Sequence, residues 1–172
     1  MENKQLVKYN FKTKPFKHQI DALDASHDKK YFALFMEMGT GKSKVLIDNI
    51  VHLYDREEIN FALIIAPKGV YRNWVEREIP QHFPDDVPYR VIRWVSNPNK
   101  EQEREIKSVK DAFEGITIFV MNVEIFSTVK GRNVGNWLAK KFGSRGIVAV
   151  DESTTIKNTK SNRTKALVQL SK

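Results

Sequence analysis

FALFMEMGTGKSKVLI, residues 32–47, decides the fold. Its centre has the outline of a phosphate-binding loop, which asks for Gly, four free residues, then Gly-Lys-Ser/Thr. Gly41, Lys42 and Ser43 satisfy the second half, while Met36 stands where the first glycine is expected. Such a loop needs a strand that ends abruptly, a turn whose N–H groups converge on an anion, and a helix that begins at once. The apolar run Tyr31–Met36 is predicted as the buried strand, and a helix is predicted from Lys42 through VLIDNIVHLY. Gly39 and Gly41 let the backbone curl and approach phosphates without a Cβ clash. Lys42 has the reach for β- and γ-phosphates, and the Ser43 hydroxyl suits Mg²⁺. A helix dipole disfavours a cation at its N-terminus, so a plain turn leaves Lys42 unexplained and an anionic ligand explains it. Met36 ends the strand and need not supply a phosphate-facing amide.

Outward from the loop, strand and helix patterns alternate. Phe61–Ala66 is a second strand, and Pro67 and Gly69 turn the chain into a helix near VYRNWVEREI. Tyr89–Val95, Ile116–Met121 and Gly146–Val150 are further strands. Helices are predicted at EQEREIKSVKDAF, NWLAKKF and SNRTKALVQLS, and Pro80–Pro88 reads as a surface loop. Strands apolar on both faces, each followed by a helix, imply a mainly parallel sheet covered on both sides. No repeat, low-complexity tract or linker divides the 172 residues, so one α/β three-layer sandwich is expected over residues 1–172.

Bulk properties set limits on function. Hydrophobic content of 41% with 29% charged residues fits a folded domain rather than a disordered chain. The absence of cysteine excludes disulfides and thiolate metal sites. No signal-like or membrane-spanning apolar run is seen, which predicts a soluble, cytoplasmic protein with no membrane partner. A net charge of +8 favours a polyanionic partner, and the excess is concentrated after Lys140. His18, His27, His52 and His82 lack metal-ligand spacing and are assigned to solvent or packing; Trp94 and Trp137 are assigned to the core.

A phosphate loop of this kind needs a partner acid at the C-terminal end of a parallel strand. GIVAVDE supplies Asp151, placed to hold Mg²⁺ through its water shell, and Glu152, placed to orient and deprotonate an attacking water. Asn122 and Glu124 follow another strand on the same edge, where either a ligand contact or a helix start fits.

FKHQ at Phe16–Gln19, MEMGTGKS, IIAPKGVYRNW and VDESTTIKN resemble, in order, the Q-motif and motifs I, Ia and II of superfamily-two helicases. The similarity is to the N-terminal RecA-like P-loop NTPase lobe of Swi/Snf-type (DEAD/DEAH-like) motors and their phage and bacterial relatives. In that group Glu-Met-Gly before the Gly-Lys is normal, so Met36 fits. The resemblance implies ATP and Mg²⁺ as cofactors, with Gln19 on the adenine edge and Phe16 packed on the base. Met38, Gly39, Thr40, Gly41, Lys42, Ser43 and Lys44 would line the phosphates. Lys42, Asp151 and Glu152 would be catalytic, with Ser43 and Asp151 holding the metal. Lys68, Asn73 and Lys157 would face DNA, with RNA left open. Ser153 and Thr154 depart from the usual Ala-His of motif II, which puts coupling to a second lobe in doubt and leaves the metal site intact.

The resemblance also implies a motif III strand between the strands of motifs I and II, and a second lobe that supplies an arginine finger. Neither is present in the 172 residues, so the expected sheet has a gap, and a fragment of a longer motor is the favoured reading. Two functions follow. One is the ATP-binding lobe of a DNA-dependent ATPase (helicase or translocase) that moves on or remodels DNA. The other is a non-hydrolysing nucleotide- or DNA-binding module acting through a partner protein.

Overall fold

A computed structural model describes residues 8–152, 158 and 160–170. Four strands form one sheet in the order β2-β3-β1-β4, with β1 Phe61–Ala66, β2 Tyr89–Arg93, β3 Ile116–Asn122 and β4 Gly146–Val150. Every pairing is parallel, and Leu63 of β1 lies between Phe119 of β3 and Val148 of β4. All six residues of β1 and all seven of β3 are buried. Their unbroken apolar character reflects helices on both faces.

Alternation along β1 divides the core. Ala62, Ile64 and Ala66 pack with Ile47, Ile50 and Val51 of helix α2 (Lys42–Asp55) and with Trp74, Ile79 and Phe83. Phe61, Leu63 and Ile65 face the other way, with Phe126, Leu138 of helix α6 (Val129–Phe142), and Leu167 and Leu170 of helix α7 (Asn162–Leu170). Three layers result, as expected. Helix α1 (Lys17–Ser26) packs on α2 outside this sandwich. The chain after β1 forms α3 (Tyr71–Asn73), a π-helical turn Trp74–Glu78 and α4 (Ile79–His82). Helix α5 (Lys100–Ser108) starts in a capping box between Asn99 and Gln102 and stops well before Gly115.

Several expectations are corrected. Tyr31–Met36 is not a strand: residues 32–37 belong to no helix or strand, and Phe35 is 96% exposed. An apolar run becomes a strand only where a neighbour completes its ladder, and among the described residues β4 pairs with β1 alone. The loop-bearing segment and β4 are therefore not ladder neighbours, and apolar Val148 of β4 is 38% exposed. Pro80–Pro88 is not merely a surface loop, because it carries the buried Phe83 and Val87. Helix α6 begins well before NWLAKKF, capped by Thr128, whose Oγ1 accepts the Gly131 N–H at 3.1 Å. Gly131 and Gly135 lie inside α6, where packing explains them. A Cβ on Gly131 would lie 2.2 Å from the Ile125 carbonyl oxygen, and one on Gly135 2.7 Å from the Phe126 ring. Trp94 is core, whereas Trp137 is 36% exposed and flanked by the ammonium groups of Lys110 and Lys141. No helix among the described residues is long and apolar enough to cross a membrane.

Candidate functional site

Because α2 runs back against a parallel sheet, its N-terminus lies at the edge where the strands end. Ahead of it, Gly39 and Gly41 adopt left-handed φ of 77° and 82°. The loop closes through Thr40 Oγ1, which donates to the Glu37 carbonyl at 2.7 Å. Lys42 Nζ donates to the carbonyls of Met36 (3.0 Å) and Glu37 (2.8 Å), so its charge sits within the turn. The residue in the first-glycine position thus contributes a carbonyl oxygen, which any side chain allows. Ser43 follows, half-buried, in the first turn of α2.

The Q-segment braces this loop. Gln19 is 5% exposed; its Nε2 donates to Thr40 O at 3.1 Å and its Oε1 accepts the Phe16 N–H at 2.9 Å. A Cβ on Gly41 would lie 2.2 Å from Gln19 Nε2, so this glycine serves both its φ and a close approach. His18 Nε2 lies 3.0 Å from Thr40 O, and its ring stacks on Phe16 with centroids 5.8 Å apart. Phe16 is 69% exposed and forms an open aromatic face beside the loop. His18, assigned to solvent or packing from its lack of metal-ligand spacing, here joins the brace on the loop.

Lys44 does not join the loop residues, and its assignment to the phosphates is corrected for its side chain. It points into the protein and pairs with Asp48 at 2.8 Å, both side chains being almost fully buried. The ring of Phe11 lies 5.1 Å from its Nζ. A strap over residues 8–15 closes this pocket: Tyr9 Oη donates to Asp24 at 2.6 Å, and Thr13 Oγ1 lies 2.7 Å from His82 Nδ1. Burial pushes the Asp48 carboxyl up to about 6, against the opposing pull of Lys44. It also lowers the pKa of His52 and of His82.

Asp151 stands where β4 ends. Its N–H still donates to Ile65 O at 2.8 Å, so the β1 ladder fixes its backbone. Its Oδ2 accepts from Trp74 Nε1 at 2.9 Å, and its Oδ1 accepts from the Glu152 N–H at 2.9 Å. Glu152 is exposed and has φ of 50°, a conformation that costs energy for a side chain of this size. Lys68 is exposed after β1, and its N–H donates to the Glu124 carboxylate at 3.1 Å. Asn73 Nδ2 donates to Glu78 across the π-turn at 3.0 Å, so its amide is used locally. Asn122 Oδ1 accepts the Ile125 N–H at 3.0 Å, which is the helix-start role. Lys157, Ser153 and Thr154 lie outside the described residues.

Loop, Lys68, Asn122 and Asp151 therefore share the strand-end edge of the sheet. A recess of about 400 Å³ lined by Ser127, Asn158, Ser161, Asn162 and Arg163 contains no loop residue. Among the described residues no three carboxylates or histidines cluster as a ready-made metal cage. The available donors are hard oxygens, the Ser43 hydroxyl and Asp151, each oxygen of which keeps acceptor capacity beyond its one N–H partner. That set fits Mg²⁺, which retains several waters and takes phosphate oxygens as ligands.

Residues 23–172 match the SNF2-related domain. Among solved structures, the chain is similar to a Sulfolobus solfataricus SWI2/SNF2 ATPase core in complex with dsDNA, at 16% identity and a TM-score of 0.59. The alignment covers 96% of this chain and 37% of that one, so this chain spans well under half of its solved neighbour. No curated protein matches. At that identity the structural likeness establishes the RecA-like fold.

Proposed function

We propose, since the chain belongs to the SNF2-related domain family, that it is the ATP-binding lobe of a DNA-dependent ATPase that translocates on or remodels DNA. The observation that carries the reading is the geometry of residues 36–43. Two left-handed glycines lead straight into a helix, with the Lys42 ammonium held inside the turn. Backbone N–H groups there suit the phosphates, and Lys42 neutralises the β- and γ-oxygens. Phe16 offers its ring face to the adenine, and Gln19 both braces the loop and borders the base.

Ser43 and Asp151 would hold Mg²⁺, which would supply charge neutralisation at the transferring group. Glu152, exposed beside Asp151, orients the attacking water and takes its proton. Lys68, Asn73 and Lys157 are the proposed nucleic-acid contacts, and the dsDNA bound by the solved neighbour supports DNA as the partner. The arginine that completes the transition state belongs, on this reading, to a second lobe in the same longer chain or a partner.

The 172-residue chain alone is accordingly expected to bind ATP·Mg²⁺ weakly and to hydrolyse it slowly. Calorimetric titration with a non-hydrolysable ATP analogue, paired with a phosphate-release assay, tests this. Saturable binding without DNA-stimulated turnover fits the proposal. Robust DNA-stimulated turnover by the chain alone would refute the requirement for a second lobe.

A further inference from the structure

We propose that Trp74 is a positioning residue for Asp151, holding its carboxylate in the orientation that receives the metal. This rests on the reading of Asp151 as the metal-holding acid. The indole is 1% exposed, and its Nε1–H donates to Asp151 Oδ2 at 2.9 Å across 77 positions of sequence. The Glu152 N–H takes the other oxygen at 2.9 Å. One donor on each oxygen fixes the plane of the carboxylate, while the ladder bond to Ile65 fixes its backbone. A carboxylate clamped in this way presents its remaining lone pairs in set directions and pays no reorganisation cost when a ligand arrives.

Two features argue that the contact is built rather than incidental. First, the helix after β1 changes to a π-turn over Trp74–Glu78, where the Ile79 N–H returns to Trp74 O. Asn73 and Glu78 bridge that turn by a side-chain hydrogen bond of 3.0 Å. Single π-turns are rare and frequently sit at functional sites, and this one begins at the residue that carries the indole. Second, the fold does not simply require every buried indole to find an acceptor. Trp94 Nε1 is also buried and has no hydrogen-bond partner among the described residues. The Trp74 N–H is aimed at the one acid that ends β4. Through it, the segment that begins at Lys68 is joined to the carboxylate by a single side chain.

Trp74→Phe removes the N–H and keeps an aromatic ring. A second variant replaces Trp74 with its benzothiophene isostere, which keeps the full volume and lacks only the donor, so a packing defect cannot mimic the result. Binding of the ATP analogue is measured with Mg²⁺ and with chelator, and binding of Mn²⁺ to the protein–nucleotide complex by electron paramagnetic resonance. Metal-dependent affinity should fall about tenfold in both variants, with chelator-measured affinity unchanged. Combining either with Asp151→Asn should add nothing to the loss from Asp151→Asn alone. A lower melting temperature with unaltered metal dependence would overturn the role and leave a packing residue. Absence of metal-dependent affinity in the wild type would overturn the reading of Asp151, and this role with it.

Discussion

Lys42→Ala is expected to weaken ATP·Mg²⁺ binding by about 100-fold or more with little change in melting temperature. The ammonium donates to Met36 and Glu37 carbonyls inside the turn, so it sits where the phosphates must come. A charged hydrogen bond contributes about 1.5–3 kcal/mol, and two made to phosphate oxygens are enough for that loss. The helix dipole normally opposes a cation here, so its removal does not unfold α2. Fluorescence titration with a labelled nucleotide measures the affinity, and circular dichroism the fold. Unchanged affinity in a folded variant would remove Lys42 from the site.

Lys44→Met should behave in the opposite way, leaving nucleotide affinity near wild type and destabilising the fold by about 3–5 kcal/mol at pH 8. Its partner Asp48 is 3% exposed and would be left as a buried charge with no counter-ion. The pH dependence gives a second readout. Asp48 titrates near 6 in the folded protein, above its ordinary 3.8. The native state therefore holds the proton more tightly, and this group's contribution to stability is full below about 3.8 and is lost as pH rises through about 6. Without Lys44 the pull that lowers this pKa disappears, and the loss continues to higher pH. The gap between variant and wild type should thus be wide at pH 8 and narrow at pH 5, read from urea midpoints. A constant gap would show that Asp48 is not the group left exposed to the change.

These two lysines show how far the sequence is legible. Lys42 and Lys44 lie on the same first turn; the loop pattern marks Lys42 and Asp48 stands four residues after Lys44, yet nothing local shows that this second pair is buried against Phe11. The difference comes from the strap of residues 8–15, whose contacts with Asp24 and His82 are long-range and leave no periodic trace. The loop itself was readable because Gly39 and Gly41 mark left-handed backbone wherever they fall between an apolar run and a helix. Parallel pairing and the two-sided core were readable from runs such as FALIIA. The strand expected at Tyr31–Met36 does not form because ladder pairing depends on a neighbour, which composition does not specify. The start of α6 ahead of NWLAKKF is not legible because Gly131 and Gly135 are set by close approaches to Ile125 and Phe126, which are tertiary. Asp151 and Glu152 are proposed from their position after an apolar strand, but the indole hydrogen-bonded to Asp151 is too distant in sequence to be seen.

The central claim is that residues 36–43 receive a nucleoside triphosphate. Amide chemical-shift changes in the isotope-labelled chain on addition of ATP·Mg²⁺ test it most directly. The predicted result is that the largest changes fall on Gly39, Thr40, Gly41, Lys42 and Ser43, joined by Asp151 and Glu152 only when Mg²⁺ is present. Changes centred on the recess at Ser127 and Arg163, with the loop amides unmoved, would contradict it.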